Sequence, residues 1–227
     1  MILKDLSPNR RKKTIELGSG SGNFKEYKPE ALASDIEPCP WLDIAFDAHA
    51  MPFKKDSAGN IVMIDVLHHL EDPLKFFEEA SNVLEPGGRI VIIEPFPTLF
   101  SLFVYKRFHP EPFIMDAPLS SLSKGNNQTE NDNNINNIKK DPWDSNQAIA
   151  YLLFFKHRKE FLRLFGEKFK IVKRKRMSCI LYPASGGFEN KSLIPNFLIP
   201  VFKLLEILLT PLRRLLAFRC YIVLIKN

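Results

Sequence analysis

The 227-residue chain reads as an α/β protein built on a doubly wound, mostly parallel sheet. Three observations predict this. A short apolar run, Thr14-Ile15-Glu16-Leu17, breaks into Gly18-Ser19-Gly20-Ser21-Gly22. A second short run, residues 31–34, ends on the acid Asp35, thirteen residues past the last of those glycines. Two β-branched runs, 61–66 and 89–95, then flank a stretch of helical apolar spacing. Strands alternating with helices are the pattern of parallel sheets with crossover connections.

Each element has its own reason. Residues 14–17 form a strand that must end where the glycines begin. Glycine lets the backbone turn sharply and approach a ligand without a Cβ in the way. The helix expected after that turn would direct free N–H groups and a positive dipole end at an anionic group. An acid at the tip of the next strand can accept both hydrogen bonds of a ribose diol. Further on, Asp72-Pro73 is an N-cap followed by proline at the first helical position. Leu74, Phe77, Ala80, Val83 and Leu84 recur at helical spacing, and Pro86-Gly87-Gly88 is expected to end that helix. Residues 89–95 return to a strand that closes on Glu94 and Pro95.

The glycine pattern narrows the ligand. A dinucleotide fingerprint would place its third glycine at position 23, which is Asn. The pattern present is E-x-G-x-G-x-G, with Glu16 two residues before the first glycine. An acid there repels a pyrophosphate and suits an ammonium. This disfavours a nicotinamide-dependent enzyme. The pattern resembles motif I of the class I S-adenosylmethionine-dependent methyltransferases. Residues 47–53, Asp-Ala-His-Ala-Met-Pro-Phe, are similar to that family's D-A-x-x-L-P-F segment. Residues 66–73, Val-Leu-His-His-Leu-Glu-Asp-Pro, are similar to its V-L-H-H-L-x-D-P segment. Gly59-Asn60 departs from the family, which has an aromatic residue and Asp there.

The resemblance implies a Rossmann-like seven-stranded sheet of order 3-2-1-4-5-7-6, with residues 219–226 as the last strand, antiparallel between the fifth and sixth. It implies S-adenosylmethionine as cofactor. Gly18, Ser19, Gly20 and Gly22 would cradle its methionine part, with Glu16 near the ammonium through a water. Asp35 would hold the ribose and Ile36 would lie against the adenine. Asp47 and Ala48 would meet the adenine edge. Asp65 and Val66 would pass under the sulfonium; a plain strand-end hydrogen bond is the other reading of Asp65.

The whole is expected to be one domain, 1–227. Residues 1–95 would be the cofactor-binding half and 96–165 a substrate-side insertion containing a loop at 120–147. Residues 166–227 would hold the last strands, with a helical insertion at 193–218. The Asn-rich tract within 120–147 has too few apolar residues for a core and is expected to be mobile. The helical spacing of 149–164 and the basic alternation of 169–176 read as a helix and a late strand, the latter extended by 177–182. Three scattered cysteines, Cys39, Cys179 and Cys220, lack metal spacing and read as reduced thiols of a cytoplasmic protein. Residues 1–13 are basic without an apolar core and do not read as a signal peptide. Their brevity leaves the cleft to be closed by later segments or by a protein partner.

The formal net charge is +6, concentrated between Lys156 and Arg176. It reads as a solvated helix face and strand edge, or as attraction to an anionic membrane or glycolipid. Nucleic acid is disfavoured, since no recognition module or stacking motif accompanies the charges. Residues 193–218 are rich in Leu, Ile and Phe but interrupted by prolines and charges, too short for a membrane span. They read as core-packing helices, as a dimer interface, or as an amphipathic surface for lipid or a lipid-linked substrate. The basic run and the last of these readings together imply peripheral contact with the inner face of a membrane.

Methyl transfer from a sulfonium is an in-line displacement, so the protein mainly aligns the reactants and excludes water. A hydroxyl or carbon acid also needs a base. The ends of the fourth and fifth strands face the crevice in this fold, which makes His68, His69, Glu94, His109 and Glu111 the candidates, His69, Glu94 and His109 foremost. No metal is expected: adjacent histidines should point apart and no third ligand has suitable spacing. The acceptor reads as a small molecule or a lipid- or glycan-linked compound. The alternative is a non-catalytic S-adenosylmethionine-binding subunit that supports a partner protein.

Overall fold

Runs such as Ile61-Val62-Met63-Ile64 are apolar on both sides, which only a strand buried on both faces tolerates. They form the centre of a seven-stranded sheet in a computed structural model that describes residues 1–9, 11–108, 111–123, 145–186 and 191–227. The strands are β1 (Lys13–Leu17), β2 (Leu32–Asp35), β3 (Ile44–Ala45), β4 (Ala58–Ile64), β5 (Leu84–Pro95), β6 (Phe169–Met177) and β7 (Arg219–Lys226). Their order is β3-β2-β1-β4-β5-β7-β6. β1 to β5 pair in parallel, and β7 runs antiparallel between β5 and β6. This is the sheet that the resemblance implied.

One face carries the main core. Ile61, Met63, Ile90, Ile92, Ile222 and Leu224 are fully buried there. Helix α1 (Pro73–Val83) covers it, together with α3 (Ile149–Tyr151), a π turn (Leu152–Lys156) and α4 (Arg158–Phe165). The π turn, closed by His157 N–H to the Leu152 carbonyl at 2.8 Å, lets Leu152, Leu153 and Phe154 all face inward. Phe77 stands at the centre, its ring 5.1 Å from Phe161 and 6.0 Å from Phe154. The Asp72 carboxylate caps α1 by accepting from Lys75 N–H at 2.9 Å, and Pro73 follows, as expected.

The second face is thinly covered. Val62, Val91, Tyr221 and Val223 pack against Phe24 and Ala31, with Ile2 and Leu6 over them. The N-terminal segment is pinned by Asp5, which pairs with Lys173 and accepts from the Tyr221 hydroxyl at 2.9 Å. Asn60 adds a second tie, accepting from Ser7 N–H and donating to Thr14 Oγ1. The unusual Gly59-Asn60 therefore lies inside β4 and anchors the leading segment.

Three local expectations are corrected. A one-turn 3-10 helix, Asn23–Glu26, follows the glycine loop instead of a full helix, so no helix dipole of consequence faces the loop. Helix α1 stops at Val83, and β5 begins at once with Leu84 paired to Ala58. Pro86-Gly87-Gly88 thus lies in the strand, at an irregularity of register, and does not end the helix. Residues 178–182 leave the sheet: Ser178 has φ +61°, and a short helix α5 (Leu181–Ala184) follows.

The basic run is largely structural. β6 is the edge strand, where charged side chains guard against unwanted pairing. Arg174 donates to the Phe154 carbonyl at 2.8 Å and lies over the Phe155 ring, and Lys168 pairs with Glu78. Three helices complete the chain at the carboxyl edge of β5: α2 (Leu99–Phe108), α6 (Ile199–Leu208) and α7 (Arg213–Leu216). No helix of the described residues is long and apolar enough to cross a membrane.

Candidate active site

The carboxyl ends of β1, β2, β4 and β5 bring most of the singled-out residues to one edge of the sheet. The glycine loop is fitted there by close contact. Gly18 has φ +61°, and a Cβ on it would lie 2.3 Å from Val66 Cγ2, so only glycine lets the loop meet the end of β4. Ser19 joins β1 to β2: its N–H donates to the Ser34 carbonyl, and its hydroxyl donates to Glu16 Oε2 at 2.9 Å. Gly20 N–H donates to Asp35 Oδ2 at 3.0 Å, and Ile36 N–H to Asp35 Oδ1 at 2.8 Å. A carboxylate has about four acceptor positions, so Asp35 retains capacity for a diol. Ile36 is 64% exposed beside it.

Glu16 is almost fully buried. Burial pushes its carboxyl up to about 7, helped by Asp35 and opposed by the Ser19 hydrogen bond and by Lys25. A buried acid so poised is completed by a cationic ligand group. Asp65, with φ +57°, pairs with Arg219 across the end of β7. Burial raises its pKa to about 6 against the pull of Arg219. Its second oxygen, Oδ2, is buried without a hydrogen-bond donor. A cradle that a Cβ would fill, a buried carboxyl without a full counter-charge and an orphaned buried oxygen fit a ligand with an ammonium and a sulfonium.

Asp47 and Ala48 follow β3. Burial raises the Asp47 pKa, but the backbone and ring of His49 outweigh it, and the net shift is down. His49 Nδ1 lies 2.6 Å from Asp47 Oδ1, and its Nε2 accepts from Asp72 N–H at 3.2 Å. This histidine couples the 47–48 segment to the start of α1, a role that sequence reading missed. It also missed Trp41, whose Nε1–H donates to the Gly20 carbonyl at 2.7 Å. The only signal for Trp41 was a lone exposed indole between β2 and β3.

The second half of the site is a buried charge cluster on the turn after β4. Glu94 is fully buried. Its Oε1 accepts from Val66 N–H at 2.9 Å and Leu67 N–H at 2.7 Å, and its Oε2 bonds His68 Nδ1. Nε2 of His68 faces Glu111 at 3.6 Å. Burial opposes a charge on His68, but the two carboxylates outweigh it and raise its pKa to about 10. Burial likewise raises Glu111, yet His68 and Gln147 bring it down to about 2. His68 is thus an imidazolium clamped between two carboxylates.

His69, with a side chain 30% exposed, places Nδ1 3.9 Å from Glu111 Oε1. Gln147 Nε2 donates to the other Glu111 oxygen at 3.0 Å. The two histidine rings do not point apart: their centroids are 4.1 Å from each other. His68, His69 and Glu111 can bring three ligand atoms within 4.8 Å, which corrects the geometric argument against a metal. His109 and residues 124–144 of the 120–147 loop lie outside the described residues.

Comparison with known proteins agrees with this geometry. A family model described as "Methyltransferase domain" matches residues 15–92. A demethylmenaquinone methyltransferase of Streptomyces avermitilis is 32% identical over 79 residues, covering 31% of this chain and 34% of that protein. The chain thus aligns to about a third of that relative's length. An S-adenosylmethionine-dependent methyltransferase of Archaeoglobus fulgidus shares the fold with a TM-score of 0.57 at 16% identity, over 100% of this chain and 90% of the other. A chain in the complex between the Haloferax volcanii Trm112 methyltransferase activator and a methyltransferase has a TM-score of 0.50 at 11% identity, over 98% and 86%. Residues 15–92 thus match the methyltransferase-domain family model, and the sheet order is that of the fold shared with the Archaeoglobus protein.

Proposed function

We propose that this protein transfers a methyl group from S-adenosylmethionine to a hydroxyl or acidic carbon of a small, amphiphilic acceptor, lipid- or glycan-linked, with His69 as proton acceptor. The observation that carries the reading is the buried His68–Glu94–Glu111 clamp, which leaves His69 half-open at the crevice with a carboxylate behind it. When bound, the cofactor supplies an activated methyl on a sulfonium. Glu16 meets the ammonium, Asp35 the ribose, and Asp47 and Ala48 the adenine edge. Glu94 is a positioning residue, because every hydrogen bond it makes is internal. Both ring nitrogens of His68 face carboxylates, which favours an ion-pair role over metal ligation. The Streptomyces relative's name assigns it demethylmenaquinone, and an apolar quinone is one acceptor of the proposed class.

Turnover on a panel of sugar, phenol and quinone acceptors tests the proposal by the appearance of S-adenosylhomocysteine. The alternative is a non-catalytic cofactor-binding subunit that supports a partner protein. It expects binding without product, alone or with any acceptor. For the ribose assignment, Asp35→Ala is expected to weaken S-adenosylhomocysteine binding by about 1.5–3 kcal/mol; equal affinity in calorimetry would refute it. The ammonium assignment carries a sign. Below pH 7 the Glu16 carboxyl is protonated and neutral, so binding should tighten as pH rises through about 7. The Glu16→Gln protein should lack that rise in the same titration.

A further inference from the structure

We infer that α2, α6 and α7 form a docking face for an anionic lipid bilayer. An apolar helix is ordinarily covered by protein. In α6, Ile-Pro-Val-Phe-Lys-Leu-Leu-Glu-Ile-Leu, no residue is buried. Leu204, Ile207 and Leu208 are more than half exposed, as are Leu99, Phe103 and Phe108 on α2. Helix α2 packs on α7, the Phe100 ring lies 5.7 Å from Phe218, and Thr98 Oγ1 donates to the Ala217 carbonyl. The exposed side chains of α2 and α7 therefore lie on packed neighbours, and α6 is joined to α7 through the turn at Thr210–Leu212. Of 21 exposed large hydrophobic residues among the described ones, 13 lie in 99–108 and 193–215, far more than scattered surface residues would give. The core-packing reading of 193–218 fails on the same numbers, since only Ala217 and Phe218 are buried.

Charge selects the occupant. The only acid in 191–218 is Glu206, and it is turned inward, accepting from the backbone N–H groups of Cys179, Ile180 and Leu181 at 2.8–3.2 Å. What remains outward is cationic. Lys175, Arg176, Arg213 and Arg214, with Thr210 and Pro211, line a shallow recess of about 290 Å³. Arg176 lies over the Phe96 and Phe155 rings and the Arg213 charge acts on Glu206, so Lys175 and Arg214, both exposed, carry the outward charge. Lys106 and Arg107 at the end of α2 and Lys203 on α6 are exposed as well. A cationic recess beside an exposed apolar face matches an anionic headgroup above acyl chains. At ten residues α6 spans about 15 Å, so it lies in the interface and does not cross it. Arg219 joins this face to the site, pairing with Asp65 and lying 4.8 Å over the Tyr182 ring of α5. The docking face stands on these observations alone. Only its corollary, that the acceptor is drawn from the bilayer, rests on the proposed methyl transfer.

Co-sedimentation with vesicles decides it. The full chain should pellet with phosphatidylcholine–phosphatidylglycerol vesicles and bind pure phosphatidylcholine vesicles at least about tenfold more weakly, at about fivefold per basic contact. Arg213→Glu with Arg214→Glu should remove that preference, and Leu204→Asp with Leu208→Asp should abolish pelleting. Both variants should keep wild-type affinity for S-adenosylhomocysteine in calorimetry, which shows that they fold and keeps this test separate from the catalytic one. An intact protein that stays in the supernatant overturns the inference. So does equal binding to both vesicles, or a dimer in sedimentation equilibrium that Leu204→Asp dissociates while no vesicle is bound.

Discussion

Replacing His69 by alanine should slow methyl transfer by about 10²–10⁴-fold while leaving S-adenosylhomocysteine affinity unchanged. The split follows from position. His69 lies on the turn after β4, partly exposed, with Glu111 behind Nδ1; the proposed contacts to the ammonium, ribose and adenine come from β1, β2 and the segment after β3, and only Asp65 and Val66, under the sulfonium, share its turn. A proton acceptor acts on the acceptor's nucleophile, so its loss appears in kcat with cofactor binding intact. Single-turnover rates with S-adenosylmethionine and a working acceptor read this directly. A variant that transfers at the wild-type rate would remove His69 from the chemistry. One that loses cofactor affinity in proportion would make it a binding residue.

Glu94→Ala should cost about 3–5 kcal/mol of stability, the range for breaking a buried ion pair from one side. Two backbone N–H groups and the His68 imidazolium would lose their acceptor at once. In a chain of this length that lowers Tm by on the order of 10 °C. Glu94→Gln keeps an oxygen for Val66 and Leu67 and should lose less. The sign with pH is fixed by His68, whose folded pKa is raised to about 10 from 6.5. Its stabilisation is complete below pH 6.5 and fades as pH rises toward 10. The Tm gap between wild type and Glu94→Gln should therefore narrow from pH 7 to pH 10. A constant gap would show that the pair contributes no charge-dependent stability.

Much of this architecture is legible in the residues themselves. The apolar strands 61–64 and 219–226, the capped start of α1 at Asp72-Pro73 and the glycine loop with Asp35 are local signals, and the fold keeps all of them. What was not legible depends on neighbours. Pro86-Gly87-Gly88 carries the chemistry of a helix stop, yet pairing of Leu84 with Ala58 draws that segment into the sheet. The sequence of α6 left core packing, a dimer interface and an amphipathic surface open; in the fold none of its residues is buried. Glu94 and His68 are 26 residues apart and meet because β4 and β5 are adjacent and parallel. Glu111 and Gln147 complete that cluster from separate loops, which no spacing in the chain announces. His49 and Trp41 were passed over because a lone ring near a motif carries no pattern.

Calorimetric titration with S-adenosylhomocysteine and, separately, with NADH tests the central claim most directly. The glycine loop fitted against Val66, the poised Glu16 and the tip carboxylate of Asp35 predict saturable binding of S-adenosylhomocysteine and none of NADH. Binding of NADH, or of neither ligand, would contradict the assignment of the site.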